Sequence, residues 1–301
     1  MKIFFRPKHI IGLLLILNFL IFSVVVFLLL EIKRNEVFNI KIDTTQPALP
    51  ELSEGIKKID VSSRAYIIYD PGSRSIISGK NEKLRFSPAS STKIMTAIIA
   101  LEEYKLEDVV TAVGLEDIDG SKMELIEGEK ITVENLLYGL MLPSGNDAAH
   151  ILASHYKGGE FSFVARMNEK AKELSLLNTR FVDPSGYSDD NYTTAYDLAR
   201  LASYALNLRK FANIVSTKDK TVADVTGQIT HNLSNLNELL GADGVNGVKT
   251  GFSEEALGVL VSSVERDGRT YIIVVLGSDD RFFDTKNIIE RAVEKITLIS
   301  Y

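Results

Sequence analysis

The sequence predicts an α/β protein. One antiparallel sheet takes strands from both ends of the folded part, a mainly helical insertion lies between them, and an N-terminal transmembrane helix stands in front. Three observations carry this expectation. An uncharged apolar run fills Ile10–Leu30. Beyond that run, short stretches rich in β-branched residues stand near the start and near the end of the chain, with helical periodicity between them. The composition, 45% hydrophobic and 25% charged over 301 residues, is that of a chain able to bury a core.

Taken in order, residues 1–9 carry Lys2, Arg6 and Lys8 and no acid, which predicts a cytoplasmic start under the positive-inside rule. Residues 10–30 are interrupted only by Gly12, Asn18 and Ser23. As a helix they would be about 30 Å long, enough for a bilayer core. A cleaved signal peptide would be shorter and end in small residues, whereas this run ends Val24-Val25-Val26-Phe27-Leu28-Leu29-Leu30-Glu31. An uncleaved single-pass anchor in the cell membrane, with residues 31–301 outside the cytoplasm, is the expectation. Residues 31–60 mix charges with Pro47 and Pro50 and read as a tether, leaving 61–301 as the folded domain.

Within that domain Arg64–Asp70 and Ser75–Gly79 flank Pro71-Gly72-Ser73-Arg74 and predict a hairpin. Ser91–Lys105, Thr132–Leu142, Asp147–His155 and Ser162–Leu177 have helical spacing. Val245–Gly251, Leu257–Val264 and Thr270–Gly277 read as strands, with a turn at Asp267-Gly268, and Arg281–Ile299 reads as a closing helix.

The chemistry is narrowed by what is missing. With no cysteine, a disulfide scaffold, a thiol nucleophile and cysteine-bound metals are excluded. No H-E-x-x-H occurs, so neither a metal nor another cofactor is expected. A net charge of −6 argues against a nucleic-acid partner. A covalent hydrolase must then use Ser or Thr beside a base. No G-x-S-x-G elbow is present, and His150 and His155 stand five apart in a helical stretch, as ordinary helix residues do.

Lysine is the remaining base. In Ser90-Ser91-Thr92-Lys93 the two functional groups share a helix face, and Pro88 marks a helix start that would leave the Ser90 N–H free. A second Ser-x-x-Lys at Ser154–Lys157 reads as solvated surface. Ser144-Gly145-Asn146 is the only Ser-x-Asn in the chain and Lys249-Thr250-Gly251 the only Lys-Thr-Gly. Singly, Lys93 could be a solvated helix lysine, Asn146 a turn former and Lys249 a strand-edge charge. Only their joint order favours a site.

With these motifs in view, the sequence resembles the serine D-alanyl-D-alanine carboxypeptidases of peptidase family S11, the low-molecular-mass penicillin-binding proteins. Ser87–Ala97, Gly120–Ala149, Asn178–Ala199, Asn235–Leu240 and Asp243–Phe252 all look like family segments. The resemblance implies the β-lactamase/transpeptidase-like fold and an acyl-enzyme pathway. Ser90 would attack the penultimate D-alanine carbonyl, with neutral Lys93 taking its proton. Burial and the nearby Lys249 cation would depress the Lys93 pKa. Ser144 would relay the proton and Asn146 would hold the substrate amide. Lys249 and Thr250 would grip the terminal carboxylate. Gly251 would let the strand approach, and the N–H groups of Ser90 and Phe252 would form the oxyanion hole. The implied partners are peptidoglycan stem peptides ending in D-Ala-D-Ala, with β-lactam antibiotics as inhibitors.

Two departures stand out. Ala256-Leu257-Gly258 replaces the usual Ala-Gly, and Asn191 stands where a histidine is frequent; neither is expected to touch the proton path. Some relatives carry a further C-terminal β-domain and amphipathic tail, which are not expected here; the N-terminal anchor would replace that tail. A class A β-lactamase would need a Glu-x-x-x-Asn stretch between Asn146 and Lys249, and none occurs. A D,D-endopeptidase or transpeptidase of the same fold, or a non-catalytic penicillin-binding sensor, are the alternatives.

Overall fold

The computed structural model describes residues 18–28, 31, 49–52 and 59–299. In the first stretch, residues 18–28 are helical, with Phe19, Phe22 and Phe27 all more than 60% exposed. The rest of the expected 10–30 anchor lies outside the described residues. No described helix is long and apolar enough to cross a membrane. Most of the tether likewise lies outside them.

The folded body starts earlier than the tether boundary implied. Strand β1 (Leu49–Leu52) falls within residues 31–60, yet it forms a ladder with the last strand of the chain. Strands β2 (Ala65–Asp70) and β3 (Ser75–Lys80) form the predicted hairpin. Asp70 holds its turn by accepting hydrogen bonds from Gly72 N (3.1 Å) and Ser73 N (3.2 Å), the Asx geometry that competes well at turns.

A 3-10 turn over Ala89–Thr92 then leads into α1 (Lys93–Glu103). From Lys93 to Ala100 every residue of α1 is buried, so this helix runs through the centre of the molecule. The insertion continues with a two-stranded ribbon, β4 (Val109–Thr111) with β5 (Lys130–Thr132). Helices α2 (Val133–Met141), α3 (Asn146–Ser154), α4 (Gly159–Glu173), α5 (Ala195–Leu206) and α6 (Arg209–Val215) come next. A second ribbon, β6 (Asp219–Ala223) with β7 (Thr230–Ser234), ends the insertion.

Strands β8 (Val245–Ser253), β9 (Leu257–Arg266) and β10 (Arg269–Ser278) return to the main sheet. Its order is β3-β2-β10-β9-β8, antiparallel throughout, so strands from before and after the insertion share one ladder as the sequence predicted. Both faces are covered. Ile67, Val261, Ile272 and Val274 pack under the insertion, while Tyr66, Ile68, Ile273 and Val275 face a second core with Ile288 and Ile289. Strand alternation sends successive residues to opposite cores, which is why β2 is apolar along nearly its whole length.

The closing element differs from expectation. Helix α7 spans only Arg281–Arg291; after a 3-10 turn, β11 (Ile296–Ile299) pairs antiparallel with β1. The run Ile296-Thr297-Leu298-Ile299 is rich in β-branched residues, and pairing with β1 satisfies its backbone.

Candidate active site

The site forms where the N-terminus of α1, the turn before α3 and the free edge of β8 meet. The 3-10 turn presents Ser90 at its second position, and the first residue of α1 is Lys93. Lys93 is wholly buried, and its Nζ donates to Ser90 Oγ (3.1 Å), Asn146 Oδ1 (2.6 Å) and the Ser185 carbonyl (2.7 Å). Its three donor directions are therefore used, and one of them is aimed at the serine hydroxyl.

Burial pushes the Lys93 pKa from its ordinary 10.5 down to about 7, against the opposing pull of the Asp183 and Asp147 carboxylates. Burial, one of the two causes expected, is thus the one that lowers Lys93. The Lys93–Lys249 repulsion is expressed at Lys249, which is held well below the ordinary lysine value by burial first, then by Lys93 and Arg281.

Ser144 precedes α3 in a left-handed conformation (φ 67°), a strained geometry for a non-glycine residue that costs ~1–3 kcal/mol. Its Oγ is buried and, among the described residues, has no hydrogen-bond partner. Asn146 opens α3. Besides accepting from Lys93, it donates through Nδ2 to the Asp119 carbonyl (2.6 Å), while its own N–H reaches the Ser121 carbonyl (2.7 Å). A Cβ on Gly120 would stand 2.6 Å from Asn146 Nδ2, so only glycine lets this loop close on Asn146. Asn146 thus positions Lys93, and its amide keeps a second N–H for a ligand.

On β8, Lys249 and Thr250 are buried and Phe252 is 62% exposed. Lys249 Nζ donates to the Thr250 carbonyl (2.9 Å), and Thr250 Oγ1 accepts from Arg281 Nε (2.5 Å). A Cβ on Gly251 would come within 2.9 Å of Ser90 N, which is how closely this strand edge passes the serine. Ser90, Asn146, Tyr187, Phe252 and Ser253 line an open groove of about 500 Å³, with Lys93, Ser144, Lys249 and Thr250 buried beneath it. Of the eight residues singled out from the sequence, Ser90, Asn146 and Phe252 line this groove, Lys93 bonds two of these, Gly251 passes close to Ser90, and Ser144, Lys249 and Thr250 are buried at neighbouring chain positions. The second Ser-x-x-Lys is not among them: Ser154 ends α3 and its Oγ bonds the Ile151 carbonyl. Of the two histidines, His150 pairs with Glu160 (3.1 Å) and His155 caps α3.

Several contributors were not singled out from the sequence. Arg281, at the start of α7, adds a permanent positive charge to the Lys249–Thr250 end of the groove. Ser185 supplies a backbone carbonyl, which no side-chain pattern reports. Asp183 binds the loop that carries it: Oδ1 accepts from Ser185 N, Ser185 Oγ and Gly186 N, each at 2.7 Å. The Asp-Pro-Ser-Gly string was a legible turn signal for that loop. A Cβ on Gly186 would lie 1.9 Å from the Ala89 carbonyl, so the loop presses directly against the serine turn. Asn191, expected not to touch the proton path, does not touch it; fully buried, it bonds Asp183 Oδ2 (2.6 Å) and reaches Lys93 only through Asp183 and the Ser185 carbonyl.

Among the described residues no group of His, Cys, Asp or Glu is arranged to hold a metal ion. Comparison with known proteins places this geometry. The profile of the D-alanyl-D-alanine carboxypeptidase family matches residues 52–280. The D-alanyl-D-alanine carboxypeptidase DacF of Bacillus subtilis is 34% identical over 224 residues; the match takes in 72% of this chain and 57% of that protein. A D-alanyl-D-alanine endopeptidase of Pseudomonas aeruginosa is 29% identical over 250 residues, 81% of each chain. The crystal structure of the Streptomyces K15 DD-transpeptidase superposes with a TM-score of 0.74 at 36% identity, covering 78% of this chain and 98% of that one. The range matched by the family profile includes all three motifs, and the chain belongs to the D-alanyl-D-alanine carboxypeptidase family.

Proposed function

We propose that the chain is a serine D-Ala-D-Ala carboxypeptidase that removes the terminal D-alanine from peptidoglycan stem pentapeptides and is inhibited by β-lactams. The observation that carries this is the buried Lys93 Nζ, 3.1 Å from Ser90 Oγ, whose pKa burial lowers to about 7, so that about half of it is uncharged at neutral pH and can accept the Ser90 proton. A hydroxyl beside an uncharged amine in a dry site is an activated nucleophile.

In this reading the terminal carboxylate of the substrate enters the Lys249–Thr250–Arg281 end of the groove, where its charge offsets two crowded cations. Ser90 Oγ bonds to the penultimate carbonyl carbon while its proton passes to Lys93 Nζ. The developing oxyanion sits against the N–H groups of Ser90 and Phe252. The proton then reaches the leaving amine through Ser144, whose hydroxyl has no partner among the described residues, and D-alanine departs. Asn146 holds the substrate amide. Water then hydrolyses the ester and returns the proton to Ser90.

The Pseudomonas relative, named as an endopeptidase, supports a second reading in which the leaving amine belongs to a cross-link. Incubating the full chain with a pentapeptide ending in D-Ala-D-Ala, and with a cross-linked dimer, separates the two. Free D-alanine that disappears in Ser90→Ala supports the carboxypeptidase. Monomer released from the dimer, with no D-alanine, supports the endopeptidase, and penicillin adduct without either product means a sensor.

The apolar, exposed helical residues 18–28 support reading residues 10–30 as a single membrane-spanning anchor with the groove outside the cytoplasm. Washing membranes at alkaline pH would then leave the full chain in the pellet; its release would contradict the anchor.

A further inference from the structure

Asn191 is fully buried, and every polar group of its side chain is engaged. Nδ2 donates to Asp183 Oδ2 (2.6 Å) and to the Ser188 carbonyl (2.7 Å), and Oδ1 accepts from Val182 N (2.9 Å). It thereby ties both ends of the 182–188 loop to its central carboxylate. That carboxylate fixes Ser185 and Gly186 through its three 2.7 Å bonds, and the Ser185 carbonyl is one of the three acceptors of Lys93 Nζ. Thr96 Oγ1, one turn along α1, clamps the same loop through the Pro184 carbonyl (2.5 Å).

We propose that Asn191 is a positioning residue for acylation: through Asp183 it holds the Ser185 carbonyl and a fixed negative charge beside Lys93, and so aims the Lys93 amine at Ser90. The inference rests on the reading that Lys93 activates Ser90. Two properties of the amide suit it to the task. It does not titrate, so the link between loop and carboxylate is the same at every working pH. It also donates to the carboxylate, and burial, which alone would push the Asp183 pKa up, is outweighed by bonds from Ser185, Asn191 and Ser188 that hold it below the usual range. Asp183 therefore stays charged.

The other groups acting on this centre come from separate elements. Asp147 on α3 also raises Lys93, and Lys249 on β8 is electrostatically linked to it. Asp119, His150 and Glu160 line a cavity shared with Asp183 and Asn146. None of these is bonded to Asn191, so changing Asn191 acts on Lys93 through Asp183 and the Ser185 carbonyl.

The test is the rate of Ser90 acylation by a fluorescent penicillin, measured across pH on the full chain and on Asn191→Ala and Asp183→Asn. In Asn191→Ala the loop loosens and Lys93 loses both its carbonyl acceptor and its nearby charge. The plateau rate is expected to fall about tenfold and the acid limb to move to lower pH. Asp183→Asn removes the charge in a side chain of the same size and is expected to shift the limb the same way. A rate that falls with the limb unmoved in both variants means that Asn191 merely supports the fold, and overturns the proposal, as does a profile unchanged in both. If Asn191→Ala does not fold, an unmoved limb in Asp183→Asn alone suffices to overturn it. A native chain that penicillin does not acylate would instead refute the function itself, and this inference with it.

Discussion

Two buried polar clusters, on opposite faces of the same sheet, are built by opposite rules. Beneath α7, Asp284 accepts four hydrogen bonds, from Ser62 N (3.0 Å), Ser62 Oγ (2.8 Å), Ser63 N (2.8 Å) and Ser278 Oγ (2.6 Å). This carboxylate is nearly saturated, and it ties the segment before β2 to the end of β10 and to α7. In the groove, Ser144 Oγ has no partner among the described residues, two lysines crowd together, and a strained backbone holds the serine in place. A saturated cluster lowers the energy of the fold. An unsaturated one costs stability and keeps its bonding capacity for a ligand. Neither burial nor an unpartnered hydroxyl alone marks a functional site, since Ser63 Oγ and Thr285 Oγ1 beside Asp284 also lack partners among the described residues; what sets the groove apart is such a hydroxyl on a strained backbone beside crowded buried lysines.

Lys93→Met gives the largest expected effect in the groove. Without the amine, Ser90 keeps no base, and acylation by penicillin is expected to drop by roughly 10³-fold or more at every pH. The same variant carries a stability signature. The folded chain releases the Lys93 proton near pH 7, whereas the unfolded chain keeps it until about 10.5. Between those values the unfolded state binds more protons, so this residue's destabilising contribution fades as pH rises. Chemical denaturation should find Lys93→Met most favoured over the native chain at and below pH 7, with the gap closing toward pH 10.

Ser144→Ala sharpens the comparison. Acylation or D-alanine release should fall by about 10²-fold, as for loss of one proton-transfer group. The melting temperature should hold or rise, because the hydroxyl removed has no hydrogen-bond partner among the described residues. If this variant melted markedly lower, the serine would be structural and the two clusters would not differ in kind.

Asp284→Asn is the converse. It leaves buried donors facing an amide and should cost ~2–4 kcal/mol of stability. Per folded molecule, penicillin should still acylate it at the native rate. Slowed acylation at temperatures where it remains folded would show that the α7 clasp reaches the groove.

Much of this was legible in the sequence. The hairpin at Pro71–Arg74, the three late strands and the interrupted sheet are dictated by periodicity and turn chemistry. Seven of the eight residues named for the site come from three short motifs in order, and Phe252 directly follows the third. What was missed has physical causes. β1 and β11 are four-residue strands that stabilise one another only across the whole chain, so the β-branched run Ile296-Thr297-Leu298-Ile299 was too short to outweigh the helix before it. Helix α5 does carry one that the sequence reading passed over, a Thr194 cap accepting from Asp197 N over an apolar stripe. Ser185 acts through its backbone and Asn191 through two intermediaries, and side-chain patterns report neither. Burial was expected to lower Lys93 and does so; the opposing carboxylates of Asp183 and Asp147 were not expected, because sequence does not show which acids fold in beside the amine.

The central claim is that an uncharged Lys93 makes Ser90 a nucleophile. Stopped-flow acylation of the native chain by a fluorescent penicillin, from pH 5 to pH 9, tests it most directly. The rate is expected to rise about tenfold per pH unit on the acid side, then level off with a midpoint near 7. A flat profile, or a midpoint near 4 where carboxylates titrate, would contradict it.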